Sequence, residues 1–154
     1  MSNLSFLVPT KNIEDFEQQK IVRIIKEHFS KYHYDEGDNM LSIRKNNIPP
    51  EQQDLITTIF FKQDCYILDY EQDIDYLENE DHGLTEKKSK YLISKLKELR
   101  ELNPDLDNCL HFTYGGHYYF KEKFKIEAVL MKYFSGYLFD EGIHPEFQTF
   151  QNEM

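Results

Sequence analysis

The residues in this chain best suited to act together chemically are the carboxylates between Asp64 and Asp81. The stretch DCYILDYEQDIDYLENED holds eight acids and no base. Such a cluster can coordinate a cation or attract a basic protein. Tyr66, Leu68, Tyr70, Ile74 and Tyr76 share one parity, with only Gln72 polar among them, and Ile67, Asp69, Glu71, Asp73 and Asp75 share the other. Alternation of period two predicts a strand buried on one side, with a row of four carboxylates roughly 7 Å apart on the other. A strand has no folding reason to collect like charges. A cationic partner is one explanation, and a plain solvated face is the commoner one.

Spacing argues against a metal in this row. The acids from Asp69 fall at calcium-loop positions 1, 3, 5 and 7, with Glu80 at 12, but position 6 is Ile74 where the loop's sharp turn needs glycine. There is no H-E-x-x-H, no C-x-x-C, no G-x-S-x-G elbow and no phosphate-cradling G-x-x-x-x-G-K. Of the six histidines, His28 lies on the apolar side of a helix and reads as a packed ring; His111 and His117 are not brought together by spacing alone. No catalytic residue, metal or cofactor is therefore expected. The expected partner-binding residues are Asp69, Glu71, Asp73, Asp75, Glu78 and Glu80, joined by Tyr118 from the aromatic run His117 to Phe120. Tyrosine beside carboxylates suits a protein interface.

A second acidic feature comes from an internal likeness. KIVRIIKEHFSKYHYDEG (20–37) and KIEAVLMKYFSGYLFDEG (125–142) are identical at eight of 18 positions. Their apolar positions coincide, and each reads as a helix feeding a short strand that ends in Asp-Glu-Gly. The expectation is two related strand–helix–strand halves with pseudo-twofold symmetry, flanking a central acidic strand and a helix over 64–102. Should Asp35, Glu36 and Asp38 meet Asp140, Glu141, His144 and Glu146 in space, a metal-dependent hydrolase becomes the alternative function. The simpler explanation is a turn, in which Gly37 and Gly142 supply the backbone freedom.

The remaining elements follow from periodicity and punctuation. LSFLVP (4–9) predicts a strand and residues 13–31 an amphipathic helix after an Asn12 cap. Residues 39–45 and 56–61 predict further strands. Thr85 caps a helix over EKKSKYLISKLKELRELN, with apolar Leu92, Ile93, Leu96, Leu99 and Leu102. Its five lysines and one arginine reverse the local charge and offer partial neutralisation of the acids. CLHFTY-GG-HYYF predicts a hairpin, residues 121–134 a third helix, and GYLFDEG a last strand.

The whole chain bounds these readings. Its 154 residues suit one domain (1–154) with a real core, and 15% aromatic content is too high for disorder. A net charge of −10 disfavours direct nucleic-acid binding and favours basic partners. No apolar run approaches membrane-spanning length, and MSNLSFLVPTKNIED lacks the form of a secretory signal. Cys65 and Cys109 read as buried free thiols of a reducing, cytoplasmic setting. The expected class is α+β, a mostly antiparallel sheet with three helices. The expected function is a small acidic binding protein that blocks a basic protein, as an immunity, antitoxin-type or phage-borne inhibitor of a nucleic-acid-acting enzyme blocks its target.

Overall fold

The computed structural model describes residues 5–10, 17–45, 54–66, 68–114, 119–134 and 136–140. These form an α+β arrangement of six strands and four helices. In chain order they are β1 Ser5–Pro9, α1 Gln18–His28, β2 His33–Gly37, β3 Met40–Arg44, β4 Leu55–Gln63, α2 Tyr70–Asn79, α3 Glu86–Leu102, β5 Cys109–Tyr114, α4 Phe120–Tyr133 and β6 Gly136–Asp140. The sheet runs β2-β3-β4-β5-β1-β6, and every neighbouring pair is antiparallel.

The sheet separates two cores. Every residue of β1 is buried, as expected of a strand covered on both faces. Leu7 turns to one side, where it meets Ile21 and Ile25 of α1 and Ile126 and Leu130 of α4. Phe6 and Val8 turn to the other, among Ile74 and Leu77 of α2 and Leu92, Leu96 and Leu99 of α3. At the β1–β6 pair Gly136 stands opposite Pro9, and a Cβ there would lie 2.6 Å from the Val8 carbonyl oxygen. A side chain at 136 would push the two strands apart.

Several expectations need correction. Over Tyr70–Asn79 the acidic stretch is not a strand but α2, so the described residues hold four helices and not three. Tyr70, Ile74 and Leu77 are buried at i, i+4 and i+7, which is a helical stripe. Leu77 already broke the alternation. Tyr119 and Phe120 do not belong to a strand opposite β5 but lead into α4; the glycine pair, His117 and Tyr118 lie outside the described residues. The first helix begins at Gln18, with Glu17 in the cap position, and ends at His28; Asn12 lies outside the described residues. His28 is exposed, its ring edge-on to Tyr133 at 5.5 Å, and so is not a core ring.

The two similar segments do each form a helix followed by an edge strand, and α1 and α4 lie on the same face. The symmetry is incomplete. Three strands separate β1 from β2, whereas only β1 separates β5 from β6. A simple twofold axis cannot relate spans of different width.

One polar cluster lies beneath α4. Lys123 Nζ donates to Ser5 Oγ at 2.8 Å and pairs with Glu127 at 3.3 Å, while Ser5 Oγ donates to Glu127 Oε2. All three residues are buried. A serine beside a lysine amine has the composition of a nucleophile and its base, but Ser5 is 0% exposed and no substrate can approach it. The cluster is an internal tie between α4 and β1.

Two outcomes test this packing by chemical denaturation. Ile25→Ala or Leu130→Ala, each at a fully buried side chain, should cost roughly 2–5 kcal/mol; a loss at the level of a surface change would contradict the helix placement. Glu127→Gln should cost about 3–5 kcal/mol by leaving the Lys123 charge buried and unpaired, while Lys123→Met combined with Glu127→Leu should cost markedly less.

Candidate functional site

The acidic stretch divides into two parts with different physical explanations. The first part is a helix start. Asp69 occupies the N-cap of α2, and its carboxylate accepts from the Gln72 backbone N–H at 3.1 Å. The Asp73 carboxylate accepts in return from the Asp69 N–H at 3.0 Å. Glu71 and Asp73 lie in the first turn, at the positive end of the helix dipole. The structure thus supplies the folding reason that a strand lacks.

The second part has no such reason. Asp75 and Glu78 follow Glu71 at i+4 and i+7 on the outer side of α2, opposite the buried stripe, and all three are exposed. Glu78, Glu80 and Asp81 stand at the carboxyl end of the helix, where the dipole disfavours negative charge, and the last turn holds no base. Asp75 accepts from the Asn79 side chain at 2.7 Å. Among the described residues Glu78, Glu80 and Asp81 have no ion-pair partner. The lysine-rich α3 contributes one described ion pair across to α2, Arg100 to Glu71 at 3.2 Å. Lys90 pairs with Glu86, whose carboxyl is held below its usual range by the hydrogen bond and charge of that lysine, and Lys95 pairs with Glu98.

The helix carrying these acids is rigidly seated. Tyr70 reaches across to α3 and donates to the carbonyls of Asn103 at 2.7 Å and Leu99 at 3.3 Å. Burial, then the neighbouring Cys109 and Cys65, push its phenol pKa up, so it stays a donor. At the far end His82 Nε2 and Ser89 Oγ both lie against the Leu77 carbonyl, at 3.0 and 3.1 Å. The Leu84 N–H donates to His82 Nδ1, which leaves the ring proton on Nε2, facing that carbonyl.

The periodicity argument missed Tyr66. Alternation places it on the buried side, yet it is 67% exposed. Its ring is held edge-on to Phe6 at 5.1 Å and to His111 at 5.9 Å. No sequence period marks it, because it sits in the turn between β4 and α2.

Of the seven expected contact residues, six lie on or beside α2. Asp69 and Asp73 serve the cap, Glu71 meets Arg100, and Asp75, Glu78 and Glu80 face solvent. The seventh, Tyr118, lies outside the described residues. The two Asp-Glu-Gly motifs do not come together. β2 and β6 form opposite edges of the sheet, with Asp35 on one and the Asp140 backbone on the other, about 24 Å apart at ordinary strand spacing. Asp35 pairs with Arg44 at 3.1 Å and Glu36 with Lys26 at 3.4 Å; residues 141–146 lie outside the described residues. Among the described residues no three His, Cys, Asp or Glu side chains are arranged to hold an ion. Cys65 and Cys109 are both free and buried in the second core, and burial, with Cys65 beside it, pushes the Cys109 thiol up, away from the reactive thiolate. No described helix is long and apolar enough to cross a membrane.

Comparison with protein-family models, with curated proteins and with solved structures returned no match.

The division of the acids predicts opposite effects on stability. In thermal melts Asp69→Ala should lose about 1 kcal/mol with its cap. Asp75→Asn with Glu78→Gln should stay within about 0.5 kcal/mol of the parent or gain slightly. Equal effects at both places would remove the distinction.

Proposed function

We propose that the protein is a small acidic binding protein that captures and blocks a basic protein partner through the outer side of α2 and the loop beyond it. The observation that supports this reading is the placement of Glu78, Glu80 and Asp81. They stand at the end of a helix that disfavours them, next to a base-rich helix whose described ion pairs are with Glu71, Glu86 and Glu98. Charge held against local stability is accounted for when a partner supplies the missing cations. Asp75 extends the surface along the helix, and α2's fixed seat on α3 keeps the carboxylates in place without ordering a loop at the moment of binding.

Enzymes that act on nucleic acids are basic because their substrates are polyphosphates, and a blocker of net charge −10 gains steered, fast association with them. An immunity, antitoxin-type or phage-borne inhibitor working in the cytoplasm is the role this proposal assigns. The likeness between segments 20–37 and 125–142 belongs to the scaffold in this reading and not to the contact surface.

The test is affinity capture from the native host at low and high salt, with the parent chain and with Asp75→Asn, Glu78→Gln, Glu80→Gln combined. The expected result is a basic protein retained by the parent at low salt, released at high salt, and inhibited in its nucleic-acid activity by one equivalent of this chain. The triple variant should associate with it at least tenfold more slowly at low salt, with a smaller difference at high salt. Capture of a partner with unchanged association kinetics for the triple variant would remove α2 from the interface.

A further inference from the structure

The second face of the sheet is covered unevenly. A single cross-strand row shows this: Gly37, Met40, Phe60, His111, Phe6 and Phe139 are successive partners from β2 to β6. Direct partners share a face, and Phe6 and Phe139 belong to the core under α2 and α3. Both are 0% exposed. His111, Phe60 and Met40 are each partly exposed, and Gly37 is exposed. The cover therefore ends at β5, and among the described residues no helix packs on this face of β2, β3 and β4.

Where the cover ends, the apolar side chains are already ordered. His111 stacks on Phe6 with centroids 4.4 Å apart and planes at 8°, and Phe60 lies 5.9 Å from the same imidazole. Tyr66 stands over this group with most of its ring in solvent. Behind it Ser42 and Thr58 share a hydrogen bond at 3.0 Å, and Thr113 donates to the Thr58 carbonyl at 3.1 Å, so the adjoining row is polar and fixed. Exposed carboxylates rim the area: Asp64 and Asp69 flank Tyr66 in the chain, and Asp35 and Asp38 stand at the β2 end. Against these four, the bases nearby are Arg44, already paired with Asp35, and Lys62.

We infer that this half-face, with Tyr66 at its border on β5, is a docking surface for a partner protein that presents an apolar side chain within a Lys/Arg-rich segment. The inference rests on the acidic-blocker reading and adds the place where the partner is anchored. An immobilised aromatic ring in solvent, beside apolar side chains and inside an acidic rim, fits a residue that becomes buried on binding. Little side-chain freedom remains to be lost, because the ring is already held on two sides. The α2 acids begin at Asp69, three residues after Tyr66, and the helix extends about 15 Å from there. One partner of ordinary interface size spans both.

The test is selection of a random dodecapeptide display library on the full chain, followed by binding measurements with the selected peptides. Tyr66→Ser and Phe60→Ser are compared with the parent, after thermal melts confirm that each variant is folded; Tyr66→Ser, at an exposed position, is the variant expected to fold without loss. The expected result is enrichment of peptides with two or more Lys/Arg next to an aliphatic or aromatic residue. Their affinity should fall at least tenfold with Tyr66→Ser and weaken as salt rises. Basic peptides that bind Tyr66→Ser as well as the parent would overturn this surface while leaving the acidic-blocker reading intact. Uncharged peptides lost with Tyr66→Ser would overturn the basic partner. A concentration-dependent dimer in sedimentation, abolished by Tyr66→Ser, would assign the surface to a second copy and overturn the inference.

Discussion

The structure depends on the burial of β1 from both faces at once. A strand whose side chains are all excluded from water needs apolar cover above and below, and it needs hydrogen-bonded neighbours along both edges. α1 and α4 meet the first demand on one side, and α2 and α3 meet it on the other. The second pair of helices is positioned by β1, β5 and β6 and extends no further across the sheet. The open part of β2–β4 follows from this placement: two helices centred on one end of a six-stranded sheet leave the other end without helical cover among the described residues.

Polar groups inside this arrangement are tied by specific bonds. Asn103, buried at the end of α3, donates to the Pro9 carbonyl at 3.1 Å and accepts from the Asp107 N–H at 3.3 Å. Its amide fixes the end of β1 against the loop into β5. Tyr34, whose phenol pKa burial and the neighbouring Tyr32 push up to about 12, donates to the Phe29 carbonyl where α1 ends. The bonds to the Pro9 and Phe29 carbonyls satisfy main-chain acceptors at the ends of β1 and α1.

Much of the architecture could be read from the residues, and the failures have identifiable causes. β1, β3, β4, β5 and β6 were legible because β-branched and aromatic runs are bounded by proline, glycine or asparagine. α3 was legible from Thr85, whose hydroxyl accepts from the Lys88 N–H at 3.2 Å, and from its leucine stripe. The segment from Tyr66 to Tyr76 misled because Tyr70 and Ile74, four residues apart, satisfy a period of two as well as they satisfy one turn of helix. Leu77, and the capping relation of Asp69 to Asp73, were the signals that decide between them. The division of the acids into capping residues and outward residues needs hydrogen-bond partners that no spacing specifies. Tyr66 and the limit of helical cover were illegible, since both depend on which strands become neighbours.

The position of β1 in the sheet also orders events in time. Phe6 pairs with His111 and Phe139, at separations of 105 and 133 residues. Ribosomal synthesis delivers this fully buried strand more than 100 residues before either of its two neighbours. Until β5 and β6 emerge, SFLVP has no edge to join, and closing loops of that length costs entropy before any contact rewards it. Nascent chains that have not yet reached β6 would therefore expose an aggregation-prone strand to the cell, and the protein's yield would depend on chaperones and on translation speed as much as on its final stability.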